Sequence, residues 1–185
     1  MKRNIYIILG IFFAIPPIAV NGGGQNGSAG ELKGITDLTG FGERDINGTV
    51  EFYENEMKGL QIVGEITGLE PDRTYGIHIH EFGNCESPEA PGSHFDPGQS
   101  GTHGPPGLSP GAGHAGDLPN IITDSTGVAR IDYTTDALGV RESAFSVIGK
   151  AVVLHAEPDD YTSQPAGAAG ERIACGVIKR VNRNQ

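Results

Sequence analysis

The chain has 185 residues, enough for one domain with a short tail. Hydrophobic residues make up 37%, enough for one core at this length, while Gly (29) and Pro (12) are too abundant for a helical bundle. A formal charge of −10 without a polybasic segment argues against nucleic-acid partners and against attachment to anionic lipid.

At the N-terminus, Lys2 and Arg3 precede an apolar run from Ile5 to Val20, interrupted by Gly10, Pro16 and Pro17. A basic start before such a run predicts a secretory signal over residues 1–20. The run is short for a spanning helix, which needs about 20 apolar residues. The alternative is a retained N-terminal anchor. Residues 21–30 read as a flexible Gly-, Ser- and Asn-rich linker, and the folded domain as residues 31–185. Loss of residues 1–20 removes Lys2 and Arg3 but no acid, which moves the charge from −10 to −12.

The body alternates with period two. Residues 31–41 are a weak first strand. In Ile46–Tyr53 the apolar side is Ile46, Val50 and Phe52, and in Leu60–Thr67 it is Leu60, Ile62 and Ile66. Both read as strands with one wet face, joined by a hairpin connection over 55–59. Further strands are predicted over 74–80, 127–133, 150–155 and 172–179. Short strands between turn signals indicate an all-β sandwich or barrel of antiparallel strands.

Residues 81–120 break this rhythm. A loop of about 40 residues without secondary structure is rare in a compact domain and needs a staple. Two kinds are at hand. In an exported chain, Cys85 and Cys175 form an even pair that reads as one disulfide, with two buried free thiols as the alternative. The other staple is a metal. All six His lie between residues 78 and 155. On a strand, His78 and His80 project from one face while Ile77 and Ile79 project from the other. The long loop contributes His94, His103 and His114, and Asp117 follows three residues later. Three imidazoles and one carboxylate are a sensible tetrahedral zinc set. His155 ends the apolar run Ala151–Leu154 and joins the candidate ligands.

Six stretches, in order over about residues 31–180, then carry a resemblance. They are 76–83 (GIHIHEFG), 92–97 (GSHFDP), His103-Gly104, 114–118 (HAGDL), 148–155 (IGKAVVLH) and 170–177 (GERIACGV). Together they resemble copper–zinc superoxide dismutases, in the manner of bacterial secreted members. The resemblance implies an eight-stranded antiparallel Greek-key β-sandwich or barrel. It implies copper on His78, His80, His94 and His155, and zinc on His94, His103, His114 and Asp117. His94 would be shared as a bridging imidazolate that also carries a proton. Asp159 would link His78 and His103, and Arg172 would draw in the superoxide anion. Superoxide would become dioxygen and peroxide as copper is alternately reduced and oxidised. The Cys85–Cys175 bridge would tie the long loop to the strand that begins at Arg172.

Residues 156–171 depart from the animal enzymes: the segment is short, and Ala166 stands where a channel Thr is expected. Anion attraction would then be local, from copper and Arg172. Nothing in the sequence calls for membrane contact once the signal is gone, and the resemblance leaves room for a homodimer. Two rival functions are a copper carrier without turnover and a purely structural zinc protein. The first is disfavoured because the copper set and the arginine are retained. The second would leave His78, His80 and His155 without a role.

Overall fold

A computed structural model describes residues 30–54, 59–108 and 111–181. The expected signal (1–20), nearly all of the linker and most of the 55–59 connection lie outside the described residues. Among the described residues no helix is long and apolar enough to cross a membrane.

Among the described residues ten strands form: β1 (Glu31–Gly40), β2 (Asn47–Glu54), β3 (Leu60–Thr67), β4 (Thr74–Tyr75), β5 (Ile77–His80), β6 (Ile121–Ile122), β7 (Ala129–Thr135), β8 (Ala151–His155), β9 (Arg172–Val177) and β10 (Lys179–Arg180). Eight of them make one antiparallel sheet in the order β5-β8-β9-β1-β2-β3-β7, with β10 also on β1. Strands β4 and β6 form a separate two-stranded ladder. Only Gly76 separates β4 from the edge strand β5, and β6 leads into the opposite edge strand β7. The small ladder therefore draws the two ends of the curled sheet together.

The predicted elements are present, with two differences. The strand expected over 74–80 divides at Gly76, whose N–H donates to Glu157 O (2.9 Å) and whose carbonyl accepts from His155 N (2.8 Å). The strand expected over 172–179 divides at Ile178, which turns into the core and exchanges hydrogen bonds with Gly149 and Lys150. Strand β6, only two residues long, gave no periodic signal to read.

The core is the inner face of the sheet. Leu38, Val50, Phe52, Leu60, Ile62, Ile66, Ile77, Ile79, Leu154 and Ile178 are all essentially inaccessible. Strands β2 and β3 alternate as their sequence requires, with Glu51, Gln61 and Glu65 on the wetter face. Strands β5 and β8 are buried throughout. Their inner residues Ile77, Ile79, Val152 and Leu154 join the main core. Their outer residues are His78, His80, Ala151, Val153 and His155. Ala151 and Val153 pack with Cys175 in a small second cluster, bordered by Cys85 and Phe41. The outer face of this corner is thus roofed by the 81–120 loop.

That loop is docked on the free edge of β5. Ile79 N–H donates to Gly116 O (2.9 Å), and Phe95 N–H donates to Ile79 O (2.8 Å). Phe95 and Leu118 insert into the main core. Each follows directly after a polar residue of interest, His94 or Asp117, so core anchors place the polar groups beside them. Gly116 is required by close approach, since a Cβ there would overlap the carbonyl of Ile79.

Candidate metal centre

His78 and His80 leave the outer face of β5, and His155 leaves the end of β8. The bridge between His80 and His94 brings the loop residue to the same place. One nitrogen from each of His78, His80, His94 and His155 lies within 4.8 Å of the others. All four side chains are buried.

The second nitrogen of each of these rings faces an oxygen acceptor, which for His94 Nδ1 is Asp117 Oδ1. His80 Nδ1–H donates to Gly92 O (2.9 Å), and His155 Nδ1 faces Gly170 O (3.4 Å). His80 Nε2 and His155 Nε2 then face each other across 3.4 Å as two lone pairs. His78 Nε2–H donates to Asp159 Oδ2 (2.8 Å), which leaves His78 Nδ1 buried without a hydrogen-bond partner. His94 Nε2 is buried and unpartnered as well. Protons do not resolve this crowding of lone pairs. Burial above all, reinforced by neighbouring imidazoles, lowers His94 to about 4 and His155 to about 3, and lowers His80 further. Neutral imidazoles with lone pairs converging on one point are the donor set a soft-to-borderline cation requires.

A second cluster shares His94. Asp117 Oδ1 lies 2.8 Å from His94 Nδ1, 3.0 Å from His103 Nδ1 and 3.4 Å from His114 Nδ1. Ligands about 2.0 Å from a tetrahedral zinc are about 3.3 Å from one another, so these separations match the edges of such a site. His103 Nδ1 and His114 Nδ1 are close to the carboxylate but not aligned for a hydrogen bond, and both are buried and unsatisfied. Asp117 Oδ2 accepts from Gly104 N–H (3.1 Å). Burial pulls the Asp117 carboxyl up, but His114, His94 and the Gly104 amide outweigh it and hold it well below the carboxylate range. Three nitrogens and one anionic oxygen fit zinc, and four imidazole nitrogens fit copper. His94 turns Nδ1 to one cluster and Nε2 to the other.

The two clusters share an outer partner. Asp159 Oδ2 accepts from His78, and Asp159 Oδ1 accepts from His103 Nε2–H (2.9 Å) and from Tyr161 N–H (2.6 Å). This fixes both rings with their Nδ1 atoms directed inward. Gly167, at φ +66°, makes the contact sterically feasible, since a Cβ there would overlap the Asp159 carboxylate.

Arg172 opens β9 opposite His155. Its Nη1 donates to Pro88 O (2.8 Å) and its Nη2 to Gly92 O (2.6 Å). Burial lowers its pKa and nearby Glu89 partly offsets that, yet a guanidinium starting this high stays charged. The 88–92 segment that holds it is tethered by the Cys85–Cys175 disulfide, with Cα atoms 5.7 Å apart. The free-thiol alternative is therefore excluded.

Every candidate site residue named from the sequence is in this corner. Several that matter here were not singled out. Asn120 Nδ2 donates to Asp159 O (2.9 Å) while Asn120 Oδ1 accepts from Asp159 N–H (2.8 Å). Gln164 pairs in the same reciprocal way with His103. The carbonyl of Gly92 serves both His80 and Arg172. Amide side chains and backbone carbonyls in loops leave no periodic trace.

Comparison with known proteins agrees with this geometry. Residues 46–178 match the family model for copper/zinc superoxide dismutase. The chain is 40% identical over 157 residues to superoxide dismutase [Cu-Zn] 1 of Aquifex aeolicus, covering 82% of this chain and 90% of that protein. It is 36% identical over 158 residues to the Cu-Zn superoxide dismutase of Deinococcus radiodurans, covering 80% and 83%. Among solved structures, the clock protein EA4 superimposes with a TM-score of 0.72 at 36% identity, covering 80% of this chain and 94% of that one. The chain belongs to the copper/zinc superoxide dismutase family, and its enzyme class and its two metal cofactors follow from that membership.

Proposed function

We propose that the chain is an exported dismutase with copper on His78, His80, His94 and His155, and zinc on His94, His103, His114 and Asp117. The observation that carries this reading is the orientation of His94, with one ring nitrogen in each cluster. Copper, when bound, supplies one-electron redox chemistry, by which one superoxide is oxidised to dioxygen and a second, with two protons, is reduced to hydrogen peroxide.

The chain's own groups do the rest. His94 Nε2 is the atom that holds and yields a proton. Its Nδ1 stays beside Asp117 meanwhile, so the ring does not drift. Arg172 attracts the anion. Its two hydrogen bonds go to neutral carbonyl oxygens, which orient the guanidinium without cancelling its charge. With a mature charge near −12, this attraction acts at short range. Asp159 keeps His78 and His103 in the tautomer that presents Nδ1.

Export rests on the N-terminal apolar run and on the Cys85–Cys175 bridge, which persists in oxidising compartments such as the periplasm, cell envelope or extracellular space. After signal removal the proposal involves no membrane.

The test combines metal analysis with turnover. Mature protein should carry one copper and one zinc and should inhibit superoxide-dependent reduction of cytochrome c. A fully loaded chain without inhibition is the signature of a copper carrier and refutes the proposal. Recovery of the chain in the cytosol with residues 1–20 intact refutes export.

A further inference from the structure

We infer that Gln164 is a positioning residue for the zinc-site residue His103, acting through the His103 backbone. The inference rests on the assignment of His103 to zinc made above.

His103 lies in a stretch without regular secondary structure, residues 101–105. Its ring is held at Nε2 by Asp159 and sits beside Asp117 at Nδ1. A ring held this way still needs a fixed Cα. Gln164 supplies it. Its Oε1 accepts from His103 N–H at 2.8 Å, and its Nε2 donates to His103 O at 2.8 Å. These two backbone groups flank the His103 Cα, so one side chain fixes both peptide planes and with them the direction of the imidazole.

Only a primary amide carries a donor and an acceptor at the required separation. Glutamate would keep the acceptor, lose the donor and set a negative charge against the His103 carbonyl. The Gln164 side chain gains little from apolar packing, since the residue is exposed. Its amide is also aligned from behind. Nε2 makes a longer contact with Thr162 O (3.3 Å), and Asp160 Oδ1 accepts from Thr162 N–H (2.9 Å) and Ser163 N–H (2.8 Å) to set the turn that leads to Gln164.

The arrangement is reciprocal between the two loops. Asn120, from the 81–120 loop, clasps the backbone of Asp159. Gln164, from the 156–171 loop, clasps the backbone of His103. The Asp159–His103 hydrogen bond lies between the clasps. The short 156–171 loop is therefore part of the zinc site's frame, although it contributes no atom to the zinc cluster.

The experiment measures zinc release from the copper- and zinc-loaded protein into a colorimetric chelator at neutral pH. Gln164→Ala should release zinc roughly ten-fold faster than the unmodified protein, as the loss of two net hydrogen bonds implies. Copper content should not change. With cobalt(II) in the zinc site, the visible bands should shift in Gln164→Ala. Gln164→Glu should also release zinc faster than the unmodified protein, and it reads the same quantity if the alanine variant does not fold. Ser163→Ala removes a side-chain bond to Asp160 in the same loop without touching His103, and should match the unmodified protein. Unchanged release and cobalt bands in the Gln164 variants overturn the inference. Equal acceleration in Ser163→Ala also overturns it, because general loosening of the loop would then be the cause. The zinc assignment fails separately, if His103→Ala retains zinc as the unmodified protein does.

Discussion

Strands β2 and β3 bury Val50, Phe52, Ile62 and Ile66 on one face and leave Thr49, Glu51, Gln61 and Glu65 toward water. Strands β5 and β8, in the same sheet, bury both faces, and the second face carries three imidazoles. The first pair is held by ordinary apolar burial and an unbroken antiparallel ladder. The second is roofed by a loop that depends on a disulfide, two core anchors and polar side chains. One fold thus contains a region stabilised by periodic pattern and another stabilised by particular atoms. They should fail differently.

The sharpest break is His94→Ala, which removes the one residue common to both clusters. Dismutation should fall by more than about a hundredfold, beyond the loss expected from an outer partner. Zinc and copper contents should both drop while the far-ultraviolet circular dichroism of the sheet persists. In the other region, Phe52→Ala empties a fully buried site and should lower stability by about 3–5 kcal/mol. Urea unfolding reads that loss, and metal stoichiometry below the transition should stay unchanged.

Acid separates the regions with a smaller effect. In metal-free protein His94 is lowered to about 4 and His155 to about 3, mainly by burial. Below the ordinary histidine value of about 6.5 the unfolded chain binds protons that the folded chain refuses. Stability should therefore be full above about pH 6.5 and fall as pH drops toward 4. Thermal unfolding after chelation should show a lower Tm at pH 5 than at pH 7.5, with the loss traced to the His corner. An unchanged Tm contradicts the burial argument. The smallest effect belongs to the wet face of the regular region. Glu65 pairs with Arg130 at 3.1 Å in the open, so Glu65→Ala should change stability by less than about 0.5 kcal/mol in urea unfolding.

This contrast also explains what could be read in advance. Strands β2 and β3 were visible because an inner residue every second position is a physical requirement of a one-sided sheet. The His78 and His80 pair was visible for the same reason, applied to the outer face. His94, His103, His114 and Asp117 stood out by residue type, and their grouping became specific through the resemblance. Asn120 and Gln164 were illegible. Each acts on the backbone of a residue far away in sequence, and only the folded path of two irregular loops brings them there. The breaks at Gly76 and Ile178 were hidden for a similar reason, since backbone partners at and just beyond the two ends of β8 decide them.

The Gly92 carbonyl carries one more consequence. A single oxygen accepts from the ring of His80, which we propose holds copper, and from the guanidinium of Arg172, which we propose attracts the anion. His80 and Arg172 are therefore not separate parts that sequence change can adjust one at a time. Displacing the 88–92 segment by a few tenths of an ångström moves His80 and Arg172 together. Substitutions in that segment should be strongly non-additive with changes at either residue. An engineer who wants to reset either side chain has to begin with a backbone atom.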